Sequence, residues 1–186
     1  MHLIVSREAR TLVGKHAWSC FDRVAYGYVG GVGNTVSCVL PLAAFPTQPE
    51  ARIAADDPML TRSAMNVLRG FGLRLIGRYC SSGELNDFPE ATSLWLRQRP
   101  FTDYPVFIEY LPMCCRGCSH IRYHVGSRTL GWGDVALSAG KRLSNAINQR
   151  RVIAAWYATT DRRNYRDTLI IEQTADNHPM HRSGGG

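Results

Sequence analysis

The stretch Val24-Ala25-Tyr26-Gly27-Tyr28-Val29-Gly30-Gly31-Val32-Gly33-Asn34, continued by Val36 to Leu42, decides the fold. Its residues are mostly β-branched, aromatic or glycine, and Gly33-Asn34 separates two apolar runs. It therefore reads as a strand, a tight turn and a returning strand. The pattern G-x-x-G-G-x-G inside it lacks the following helix and the acidic residue of a dinucleotide fingerprint. The glycines are better explained by close packing and by positive φ at the turn.

Outward from this hairpin, Ser6 is placed to cap a helix with Glu8 in its first turn. Ala9, Leu12, Val13, His16 and Ala17 then recur at helical spacing. On the other side, Phe45 to Pro58 carries three prolines and reads as a connection. Asp57-Pro58 opens a second helix running through Met65 and Leu68 to about Phe71, and Leu73 to Tyr79 follows as a buried strand. Ser81 to Pro89 reads as a polar loop, Glu90 to Arg99 as a short helix, and Val106 to Leu111 as an apolar strand paired with His120 to Val125. Further on, the pattern predicts a helix over Asp134 to Gln149 and strands over Val152 to Thr159 and Thr168 to Gln173. One α+β domain over residues 1–176, with a flexible tail over 177–186, fits this order.

The chain has 186 residues, 45% of them hydrophobic and 20% charged, with no low-complexity tract, which excludes disorder, collagen and coiled coil. No run of about 18 apolar residues and no secretory leader is visible, so a cytoplasmic protein without a membrane partner is expected. On that expectation the six cysteines are reduced thiols. The net charge is +7, and of the 22 basic residues only Lys15 and Lys141 are lysines. Arginine pairs with carboxylates as readily as with phosphates, so this charge suits an acidic protein face or a nucleic acid.

Four blocks in order resemble the JAMM/MPN family, whose catalytic members are zinc proteases that cut isopeptide bonds to ubiquitin-like tails. They are Leu3-Ile4-Val5-Ser6 with the helix ending Lys15-His16-Ala17, and Gly27-Tyr28-Val29-Gly30-Gly31. Then come Pro49-Glu50-Ala51-Arg52-Ile53 through Asp57-Pro58, and Leu75-Ile76-Gly77-Arg78-Tyr79. The resemblance covers about residues 3–112 and implies a mixed, curved sheet flanked by helices.

The family motif is His-x-His-Pro, six residues, then Ser-x-x-Asp, with a glutamate three residues before the strand glycine. Two imidazoles and a carboxylate hold zinc, a water fills the fourth position, and the glutamate deprotonates it. In register, the histidine positions here are Cys80 and Ser82, the proline is Gly83, the serine is Glu90, the aspartate is Ser93 and the glutamate is Val24. Neutral hydroxyls are poor zinc ligands and valine accepts no proton, so the resemblance implies a pseudoenzyme with no cofactor. Inactive members act as scaffolds, which implies a protein partner: a ubiquitin-like protein, a sister subunit or a second copy. A hydrolase rescued by Asp22, Glu84, Asp87 or Glu90 is an alternative.

Outside the resemblance, Cys114, Cys115 and Cys118 with His120 and His124 have zinc-donor chemistry. One serine separates the two sets, where zinc fingers use about a dozen residues. Buried thiols at a strand turn are the simpler account. Cys80 with His16, His120 or His124 is a second candidate pairing, as nucleophile and base. Arg142, Arg150, Arg151, Arg162, Arg163 and Arg166, with Trp156, Tyr157 and Tyr165 among them, offer a nucleic-acid or partner surface.

Overall fold

A computed structural model describes residues 2–20, 23–42, 57–81, 106–112, 119–126, 128–138 and 149–159. The elements in chain order are β1 (Leu3–Ser6), α1 (Arg7–Ser19), β2 (Tyr26–Val32), β3 (Thr35–Pro41), α2 (Pro58–Gly70), β4 (Arg74–Ser81) and β5 (Val106–Pro112). They continue with β6 (Ser119–Val125), β7 (Arg128–Thr129), a single 3-10 turn (Trp132–Asp134), β8 (Val135–Ser138) and α3 (Gln149–Thr159). The fold is α+β.

The eight strands form one mixed sheet in the order β7-β6-β5-β4-β2-β3-β1-β8. The central hairpin is as the glycine-rich stretch predicts: β2 and β3 are antiparallel, with a register shift between Gly30 and Gly31. Gly31 is required there because a Cβ would run into the Thr35 carbonyl, and Gly33 takes φ 56° in the turn. On one side β2 pairs antiparallel with β4, which runs parallel to β5. On the other, β1 lies parallel to both β3 and β8.

Strands β7 and β8 lie at opposite edges of the sheet yet only residues 130–134 join them. Thr129 to Val135 reaches at most about 21 Å, whereas eight flat strands would hold β7 and β8 about 34 Å apart. The sheet is therefore curled, and its concave face wraps α1.

Ser6 caps α1 as its sequence predicts: its Oγ accepts from the Ala9 amide at 3.0 Å and donates to the Ser37 carbonyl at 3.1 Å. Ala9, Val13, His16 and Ala17 form the buried stripe of α1, against Val5, Val36, Ile108 and Tyr110. α2 begins at Pro58 with Asp57 accepting from Met59 and Leu60, and buries Ala64, Val67 and Leu68. It shares the convex face of the sheet with α3, around Tyr26, Tyr28, Leu40 and Trp156.

Two elements differ from the sequence reading. Val152 to Thr159 is helix, not strand: Val152, Ile153 and Trp156 are buried while Ala154 and Ala158 are exposed, a one-sided helical spacing. Val135 to Ser138, expected within a helix, is an edge strand whose partner is the N-terminal β1. Residues 139–148, the proposed helix 90–99, the proposed strand 168–173 and the tail lie outside the described residues.

Candidate functional site

Two of the positions singled out in the sequence, Val24 and Cys80, lie at one end of β2 and β4. Tyr26 pairs with Cys80. Beyond that rung Ser81 extends the ladder: its amide donates to the Ala25 carbonyl at 2.8 Å, and its Oγ accepts from the Ala25 amide at 2.9 Å. This clamp sets Val24 beside the end of β4. Val24 is 3% exposed, and it packs with Cys80 against the same apolar cluster as Tyr26 and Leu73. Ser82, Gly83, Glu90 and Ser93, with the rescue candidates Asp22, Glu84 and Asp87, lie outside the described residues.

Burial pushes the Cys80 thiol up to about 12, with the Glu109 charge adding to the shift. Its Sγ donates to the Ser81 carbonyl at 3.2 Å. His16 does not serve it, because His16 projects from the buried stripe of α1, its Nδ1 2.7 Å from the Tyr79 hydroxyl. Burial lowers His16 to about 4, partly opposed by the Leu42 backbone. A protonated, poorly nucleophilic thiol with no imidazole partner among the described side chains does not make the cysteine–histidine pair considered from the sequence.

Glu109 is the residue the sequence reading passed over. It sits across the sheet from Cys80, β4 and β5 pairing Cys80 with Glu109, and is 3% exposed. Its Oε2 lies 3.2 Å from His124 Nε2, while His124 Nδ1 lies 3.0 Å from Thr129 Oγ1. Phe107 packs on the same imidazole, ring centroids 5.9 Å apart. One signal was available: a single acid interrupts the apolar run Val106-Phe107-Ile108-Glu109-Tyr110.

This arrangement removes His124 from the zinc candidates, since both its ring nitrogens are engaged within the sheet. His120 lies in register with Leu111, four rungs from the His124–Phe107 pair. Cys114, Cys115 and Cys118 lie outside the described residues. Among the described residues no group of three or more His, Cys, Asp or Glu gathers where one metal could be held.

Of the arginine set, Arg150 and Arg151 are exposed on the first turn of α3, and Arg142, Arg162, Arg163 and Arg166 lie outside the described residues. Trp156, considered as a base-stacking aromatic, is instead 0% exposed. Its indole nitrogen donates to the Pro41 carbonyl at 2.7 Å, and its ring meets Tyr28 edge-on. A ring with no open face stacks no base. No described helix is long and apolar enough to cross a membrane.

No family model matches the chain, and no curated protein matches it. Among solved structures 62 chains match. One is the solution structure of protein DSY2949 from Desulfitobacterium hafniense, 16% identical, with the match covering 74% of this chain and 93% of that one at a TM-score of 0.45.

Proposed function

We propose that the chain is a catalytically degenerate JAMM/MPN-like domain that works by binding another protein. One observation supports this above the others. Val24 and Cys80, where the resemblance puts a general base and a zinc ligand, belong to one apolar cluster, as apolar packing and a protonated thiol. Such a pair offers no base and no thiolate, and a valine in a dry cluster activates no water. The partner class that accompanies this reading is a ubiquitin-like protein, a sister subunit or a second copy of the chain.

Elemental analysis of protein purified without a histidine tag tests the degenerate half. The natural chain is expected to carry no stoichiometric zinc, and a folded chain with Val24→Glu, Cys80→His, Ser82→His and Ser93→Asp to take up about one zinc. Zinc in the natural chain that disappears with Cys80→Ser would overturn the reading. The binding half is tested by sedimentation for self-association and by NMR titration with ubiquitin. A monomer whose resonances ubiquitin leaves unmoved eliminates both of those partners.

A further inference from the structure

Under α1 the curled sheet holds two phenols with nothing to bond. Tyr110 on β5 and Tyr123 on β6 are diagonal neighbours, Tyr110 opposite Ile121 and Tyr123 opposite Ile108, and both pack in the concave core. Both hydroxyls are buried without a hydrogen-bond partner. Arg10 and Gly14, four residues apart and so on one side of α1, lie over this pair. A Cβ on Gly14 would stand 3.7 Å from the Tyr110 ring, and the Arg10 charge acts on the Tyr123 hydroxyl. Among the described residues Arg10 makes no ion pair.

Arg10 and Tyr123 line a cleft of about 110 Å³ between the two sheet edges, whose other walls include Ile121, Leu130, Val135 and Leu137. Leu137 is 41% exposed there. The lining combines two guanidiniums, Arg10 and Arg122, one buried donor lacking an acceptor, and branched aliphatic walls. A buried hydroxyl without an acceptor is unfavourable, and a ligand oxygen beside Arg10 relieves it. A cavity of about 150 Å³ accommodates benzene, so this one suits a stem of about four carbons.

We propose that this cleft is a receptor site for a carboxylate on a short branched aliphatic stem. Arg10 and the Tyr123 hydroxyl hold the carboxylate, and Ile121, Leu130, Val135 and Leu137 hold the stem. That chemistry is shared by a free short-chain acid and by the C-terminal valine or leucine of a peptide.

Methyl-labelled full-length chain is titrated with isovalerate, with acetyl-Ala-Ala-Val bearing a free C-terminus, and with the neutral amide of each. Saturable shifts of the Leu130, Val135 and Leu137 methyls are expected with at least one acid and with neither amide. Arg10→Gln and Tyr123→Phe are each expected to weaken binding at least about tenfold. Tyr123→Phe removes only the unpaired hydroxyl, so its melting temperature should not fall, which separates lost binding from lost fold. Binding by isovalerate identifies a free acid as sufficient, and binding by the peptide alone identifies a chain terminus. The proposal is overturned if neither acid gives saturable shifts, if the amides bind as well as the acids, or if binding survives both substitutions.

Discussion

Trp156 carries the docking of α3, and its removal has a calculable cost. The side chain is 0% exposed, donates to the Pro41 carbonyl at 2.7 Å and meets Tyr28 with ring centroids 6.0 Å apart. Trp156→Phe keeps a ring but strands the Pro41 carbonyl, which costs about 1–3 kcal/mol, and it leaves a small void. Trp156→Ala adds the full cavity, bringing the loss to about 4–6 kcal/mol, much of the 5–15 kcal/mol typical of a domain. Urea unfolding followed by circular dichroism at 222 nm measures both variants without relying on the fluorescence of the deleted indole. An alanine variant that loses less than about 1 kcal/mol at unchanged m would mean that α3 does not pack here.

Two further outcomes follow from buried titratable groups. His16 is lowered to about 4 when folded and has an ordinary value near 6.5 when unfolded, so the unfolded chain takes the proton first. Its contribution is intact above about pH 6.5 and falls by about 3 kcal/mol as pH drops to about 4. Chemical denaturation across that window should show a shallower acid loss for His16→Gln than for the natural chain, and equal slopes would refute the assignment. Burial pushes Cys38 and Cys80 both up to about 12. Brief iodoacetamide treatment at pH 8 should leave the buried Cys38 unmodified in folded protein and label the half-buried Cys80 far more slowly than in unfolded protein by peptide mapping, and Cys80 labelling at the unfolded rate would contradict its raised thiol.

The parts of the fold that local chemistry specifies were legible in the chain. Ser6 caps α1, Asp57-Pro58 opens α2, and Gly33 turns the hairpin, because each acts on backbone within a few residues of itself. The misread elements depend on distant partners. Val135-Ala136-Leu137-Ser138 has four residues and no turn signal, and only pairing with Leu3 to Ser6 makes it a strand. Val152 to Thr159 combines β-branched and aromatic residues with three alanines. Packing against β3 selects helix, since Gln149 exchanges hydrogen bonds with the Val39 backbone at 3.1 and 2.9 Å and Trp156 reaches Pro41. The same limit applies to the candidate site. Val24 and Cys80 could each be counted along the chain from Gly27 and Tyr79, although the strands that bring them together, β2 and β4, are not a hairpin. Glu109 meets His124 only because β5 and β6 pair in one register, which neither residue announces.

The pairing of β1 with β8 also bears on how the chain is made. Leu3 to Ser6 leaves the ribosome well before one of its two neighbouring strands, which is encoded at Val135 to Ser138. Contacts of such long sequence separation form late and slow folding, because a large loop must close before they form. During synthesis the nascent β1 therefore keeps one side of its backbone unpaired until Val135 to Ser138 has been made, exposing amide and carbonyl groups to other nascent chains. Truncation before residue 135 is expected to leave that vulnerability permanent, with aggregation arising from the N-terminal strand rather than from the new C-terminus.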